Sequence, residues 1–295
     1  MLLGAHVSIA GGVAFAPANG ARVGCEAIQI FSRSPRMLRK TKPLAPEEAN
    51  AFREGLATRG IRAAVIHGNY LINLASPKKS LLAVSRTAFV EELERAQRLG
   101  VRDVIFHPGA HLGTGEGAAL RRIAESIDWC LARADAPDVF ASLENTAGQG
   151  TVVGHTFDQL GEIVKESSHP DRIAVCIDTC HAFAAGYDLR MRAGYEEFLR
   201  QVDGTVGLAR VRAFHLNDSK GGLGSRLDRH ENIGKGELGT DPFSFLVNDE
   251  RWRETPACLE YPGDDRGFRR NLKTLRSLVT GEATARDPPK VRRGR

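Results

Sequence analysis

The chain has 295 residues, 42% of them hydrophobic, with 31 Gly and 13 Pro, enough for a large core of its own without disulfide staples. No apolar run approaches the ~18 residues of a membrane span, and the N-terminal stretch lacks the basic segment of a secretory signal, so a cytoplasmic protein is expected. The five cysteines (25, 130, 176, 180, 258) form no CxxC pair, which points to a reducing compartment and argues against a thiolate-ligated zinc site. The net charge of +5 is concentrated at one end: residues 286–295 hold five Lys/Arg and one Asp, which leaves the rest of the chain near neutrality.

Apolar or β-branched runs at 2–7, 27–31, 61–66, 101–106, 139–143, 173–177, 211–214 and 257–259 predict strands. Helical spacing fills the intervals. The pattern predicts helices over 11–23, from Pro46 to the stop at Gly60, and over 78–99, where Leu81, Leu82, Phe89, Leu93 and Leu99 form a stripe that Gly100 closes. Further helices are expected over 116–133, 156–167, 196–202, 242–249 and 264–278. This alternation of eight strands with eight helices predicts a single closed (β/α)₈ barrel over residues 1–284. An open doubly wound sheet fits less well, because no GxGxxG follows the first strand. Residues 285–295 form a basic, Pro-containing tail whose composition predicts disorder.

The chemical signal follows the strands. His67, His107, Glu144, Asp178, His215 and Glu260 stand at the C-terminal ends of six consecutive predicted strands. That rim is where barrel enzymes place their chemistry. Any one of these residues taken alone reads better as a hydrogen-bonded structural group or a helix cap. Six in register do not, since titratable groups at one rim repel and desolvate one another unless a cation or ligand balances them. Two clusters in the loops of the same rim add His181, three residues after Asp178, and the pair Asp228 and His230. Imidazoles and carboxylates without thiolate suit Zn²⁺, Mn²⁺ or Fe in an open site, and nine such groups exceed the needs of one tetrahedral ion.

Several stretches are long enough to compare with known families: GAHVSIAGG (4–12), YLINLA (70–75), HPGAH (107–111), ENTAGQG (144–150), DTCHAFAAGYD (178–188), HLNDSK (215–220) and GSRLDRHENIGKGELG (224–239). In content and order they resemble the endonuclease IV family of apurinic/apyrimidinic (AP) endonucleases, from residue 2 to about 262. The resemblance implies a TIM barrel with three zinc ions per chain. His67, His107 and Glu144 would hold the first; Glu144, Asp178, His215 and Glu260 the second; His181, Asp228 and His230 the third. It also implies action on double-stranded DNA containing abasic sites or blocked 3′ ends, chemistry for which a monomer suffices. The bond cut would be the phosphodiester 5′ to the abasic sugar, leaving 3′-hydroxyl and 5′-deoxyribose phosphate ends, with Glu144 orienting the attacking water. Arg36, Tyr70 and Leu71 match the positions that fill the gap and wedge into the base stack.

The basic loop Arg33, Arg36, Arg39 and Lys40 suits phosphate contact. Met37 and Leu38 replace a polar residue and a large aromatic of the family pattern, and Tyr261-Pro262 replaces Thr-Pro. His6 is expected to serve internal hydrogen bonds, and His155 and His169, at the two ends of a helix, structural roles; His111 fits a place behind the metal ligands, and Asp218 fits the site and a turn equally well. Two other readings stand beside the nuclease. A sugar isomerase or epimerase on a related barrel gives Asp228 and His230 no necessary task. A DNA-damage binding protein with structural metals would need closed four-ligand sites.

Overall fold

The computed structural model describes residues 1–35, 38, 43–261 and 263–280. Eight parallel strands close into a barrel: β1 (Leu2–His6), β2 (Ala27–Phe31), β3 (Ala63–His67), β4 (Asp103–Phe106), β5 (Phe140–Glu144), β6 (Ile173–Asp178), β7 (Val211–His215) and β10 (Pro256–Leu259), with β10 pairing both β7 and β1. The two remaining short strands, β8 (Asp218–Ser219) and β9 (His230–Glu231), form an antiparallel hairpin in the long connection after β7. An outer layer of helices follows the predicted order: α1 (Ala16–Val23), α2 (Pro46–Thr58), α3 (Lys79–Leu99), α4 (Glu116–Leu131), α5 (Phe157–Glu166), α7 (Arg192–Thr205), α8 (Asp241–Val247) and α9 (Asp265–Ser277).

One helix, α6 (Thr179–Ala185), lies where the sequence pattern predicts none. It is short and buried from Thr179 to Ala184, so it shows no amphipathic stripe. Its start is set by Asp178, whose carboxylate accepts from the His181 amide at 2.8 Å, as an N-cap does. Among the described residues, no helix is long and apolar enough to cross a membrane, and all five cysteines are buried and unpaired. The tail from residue 285 lies outside the described residues.

The barrel interior explains how the fold aims side chains. Leu2, Ala27, Val65, Ile105, Cys176, Ala213 and Cys258 form a separate apolar cluster, one residue from each of seven strands. Side chains alternate across a strand, so the residue two positions further on points inward as well, one layer nearer the C-terminal rim. From Val65, Ile105, Cys176, Ala213 and Cys258 that step reaches His67, His107, Asp178, His215 and Glu260. The metal-competent layer is therefore the next layer of the barrel core.

Strand packing around β1 leaves no room for a side chain at Gly4, where a Cβ would sit 1.9 Å from the Ala27 carbonyl oxygen. Because the obstacle is backbone, Gly4→Ala is expected to cost at least about 1–3 kcal/mol. Urea unfolding checks this, and a midpoint equal to that of the native chain would contradict it.

Candidate metal centre

His67, Glu144, Asp178 and His215 each end a strand; His107 and Glu260 each follow one by a single residue. Glu144 occupies the middle of the group and has no exposed surface. Its Oε2 lies 3.2 Å from His67 Nε2 and 3.1 Å from His107 Nε2, and its Oε1 lies 2.8 Å from His215 Nδ1 and 3.4 Å from His181 Nδ1. Burial alone would push this carboxyl up; His215 and His107 instead hold it well below the ordinary carboxylate range. Glu260 is lowered in the same way, with His215 opposing the effect of burial.

The imidazoles show the reciprocal effect. Burial would lower His181 and His67, yet Asp178 and Asp228 hold His181 well above its usual value, and Glu144 raises His67. Asp228, opposed by burial but facing His181, is lowered to about 2.

Hydrogen bonds to neighbouring groups choose which ring nitrogen each histidine turns to the centre. His67 Nδ1–H donates to the Gly68 carbonyl at 2.7 Å and His181 Nδ1–H to the Asn145 carbonyl at 2.9 Å, so both present Nε2. His215 is turned the other way and presents Nδ1, because its Nε2–H donates to Gln29 Oε1 at 2.7 Å. Asp178 is braced by Asn217, whose Nδ2 donates to Oδ2 at 2.7 Å, and by Asn145, which accepts from the Asp178 amide at 2.7 Å.

Asp228 and His230 come from the connection after β7, which the Asp218 carboxylate ties together by accepting from the Ser219, Gly236 and Leu238 amides at 2.8, 2.9 and 3.0 Å. Asp218 thus serves a turn. This clasp brings Asp228 Oδ1 to 3.2 Å from His181 Nε2 and 3.3 Å from His230 Nε2. Both nitrogens are buried without a well-formed hydrogen bond.

The donors fall into three groups close enough to share ions: His67, His107 and Glu144; Glu144, Asp178, His215 and Glu260; Asp178, His181 and His230, with Asp228 against the last two. No sulfur belongs to any of them. Two buried imidazole nitrogens without a well-formed hydrogen bond and a carboxylate shared between groups fit cations as ligands better than they fit a closed hydrogen-bond network. The groups open into a cavity of about 520 Å³ lined by His67, His107, His181, Asp228, His230 and Glu260.

Tyr70 and Leu71 lie in the connection after β3 and are 57% and 41% exposed, unusual for side chains of this size. Arg36, with Met37, Arg39, Lys40 and Pro262, lies outside the described residues. Arg33 departs from the basic-loop reading: it is buried, with Nε donating to Glu92 at 2.9 Å and Nη1 to Glu91 at 2.6 Å, and so anchors the loop to α3. His111 accepts from the Gly113 and Gly115 amides, a loop role. Gln29, Asn145 and Asn217 were not singled out from the sequence. The available signal was a lone amide in the apolar run AIQIF and an Asn immediately after Glu144 or two residues after His215; polar groups buried among strands need partners.

Comparison with known proteins gives a consistent neighbourhood. Residues 17–278 match the family model described as a xylose isomerase-like TIM barrel. The chain is 49% identical over 284 residues to "Probable endonuclease 4" of Geobacter sulfurreducens, covering 96% of both chains. It is 46% identical over 280 residues to the protein of the same name from Chloroflexus aurantiacus, covering 94% of this chain and 98% of that one. The crystal structure of endonuclease IV from Thermus thermophilus superposes with a TM-score of 0.84 at 37% identity, covering 94% and 98% of the two chains. A D-tagatose 3-epimerase-like protein superposes at 0.72 with 19% identity, a likeness of fold alone.

Raised imidazoles contribute stability in full below their ordinary value of 6.5 and lose it as pH climbs through the raised folded values. The depressed glutamates contribute it above 4.5 and lose it as pH falls. Chelator-stripped protein is therefore expected to lose melting temperature as pH rises above 6.5. Metal-loaded protein should hold or gain over the same span, because cations displace the imidazole protons. Scanning fluorimetry of both forms checks this; a stripped protein whose melting temperature rises along with the loaded one would contradict it.

Proposed function

The chain belongs to the endonuclease IV family, and we propose that it is a zinc-dependent AP endonuclease of base excision repair that hydrolyses the phosphodiester 5′ to an abasic site. The products would carry 3′-hydroxyl and 5′-deoxyribose phosphate ends. Membership makes it a DNA-cleaving hydrolase of DNA repair; the metal and the bond cut are the proposal. The observation that carries the proposal is the convergence of nine imidazole and carboxylate side chains on one rim, with Glu144 common to two ligand groups.

In this reading His67, His107 and Glu144 hold one zinc, Glu144, Asp178, His215 and Glu260 a second, and His181, Asp228 and His230 a third. Zinc bound there supplies neutralisation of charge on phosphate oxygens and a water whose pKa falls to about 7. The chain's own residues do the rest. Glu144, ionised and buried, orients the attacking water. Tyr70 and Leu71, both exposed and with the Tyr70 ring edge-on to the cavity-lining Phe31, wedge and stack against bases so that the abasic sugar turns out of the helix. Arg36 would fill the gap left behind. A pocket too narrow for a base-bearing nucleotide supplies the selectivity. Removing blocked 3′ ends is the same hydrolysis at a strand terminus, and one chain contributes every ligand, so a monomer suffices.

The test is an end-labelled duplex carrying one tetrahydrofuran abasic analogue, which cannot undergo β-elimination. Native protein is expected to cut 5′ to the analogue and leave a 3′-hydroxyl. Glu144→Gln should cut more than about 100-fold more slowly, since changes even to residues behind the ligands cost 10–100-fold. An intact strand with metal-loaded native protein, or near-native cutting by the variant, would overturn the reading.

A further inference from the structure

Gln29 is the only polar residue of β2 and is fully buried. It pairs in register with His6 of β1 and stands two residues beyond Ala27, so it joins the inward layer that holds the rim imidazoles and carboxylates. Its amide makes three contacts. Nε2 donates to Glu260 Oε1 at 2.5 Å and to His6 Nδ1 at 3.0 Å, and Oε1 accepts from His215 Nε2–H at 2.7 Å.

The chemistry of the partners admits one orientation of this amide. An ionised carboxylate only accepts, so the NH₂ must face Glu260, which leaves the carbonyl for His215. A carbonyl in turn only accepts, so His215 keeps a proton on Nε2 and leaves Nδ1 as the nitrogen turned inward, 2.8 Å from Glu144 Oε1 and 3.2 Å from Glu260 Oε2. Glu260 is fixed by the same amide: Oε1 is occupied by Gln29, and Oε2 is the oxygen nearer His215.

We propose that Gln29 is the positioning residue of the second ligand group, fixing the nitrogen of His215 and the oxygen of Glu260 that are offered to a cation. The inference rests on the metal reading of the rim and extends it to a side chain that touches no ion itself. His6 stands behind the amide as a third partner, so β1, β2, β7 and β10 are locked together at the height of the site.

The test uses the full chain, stripped with a chelator and reloaded with divalent cobalt, whose visible bands report ligand geometry. Gln29→Met removes all three polar contacts at similar volume. It is expected to release one ion at about 10–100-fold lower chelator concentration than the native chain and to shift the cobalt bands. Gln29→Glu keeps an acceptor toward His215 but sets a carboxylate against Glu260. It should weaken the same ion and carries the test if the Met variant fails to fold. Folded variants with native cobalt content and native bands would overturn the inference. A native chain that retains no cobalt would overturn the metal reading, and the role of Gln29 with it.

Discussion

A carboxylate with no exposed surface stays ionised only if positive charge surrounds it, and Glu144 imposes that demand at the mouth of this barrel. Four histidines, from β3, from β7, from the residue after β4 and from α6, face its two oxygens. His67, His181 and His215 are each held by a hydrogen bond from the other ring nitrogen or to a neighbouring group. The arrangement is unfavourable as a structural ion network, because burying a charge costs more than pairing usually returns. As a set of ligands it is consistent, since cations take the place of the imidazole protons and bind the same atoms.

The barrel makes this clustering nearly automatic. Closing eight parallel strands turns alternate side chains into one narrow interior. The layer built from Val65, Ile105, Cys176, Ala213 and Cys258 is apolar and buried; the next one up carries the metal-competent side chains. What the strands cannot supply comes from two local devices. Asp178 caps α6 and so places His181 one turn away, and Asp218 gathers three backbone amides to hold the connection that carries Asp228 and His230.

Much of this is legible in the residues. The positions of His67, His107, Glu144, Asp178, His215 and Glu260, each directly after an apolar or β-branched run, are plain in the sequence and need no family knowledge. The alternation alone reaches the closed barrel. The short helix α6 escapes a periodicity reading because a helix buried on all sides has no polar face to give it away. Arg33 reads as part of a basic loop because charge in sequence does not reveal partners, and its partners Glu91 and Glu92 lie on α3, far along the chain. Gln29 escapes notice because its significance depends on strands that meet only when the barrel closes: His215 and Glu260 are distant in sequence and adjacent in space. The DNA-contact roles of Tyr70 and Leu71 rest on the family likeness, to which the structure adds their exposure.

The central claim is that the Glu144 rim is a multi-cation centre. An anomalous-difference map of crystals of the purified chain, recorded above and below the zinc absorption edge, tests it most directly. Three zinc peaks are expected: one among His67, His107 and Glu144, one among Glu144, Asp178, His215 and Glu260, and one among His181, Asp228 and His230, each at about 2.0–2.2 Å from its ligand atoms. A map with no peak beside Glu144 in crystals of active protein would contradict the account.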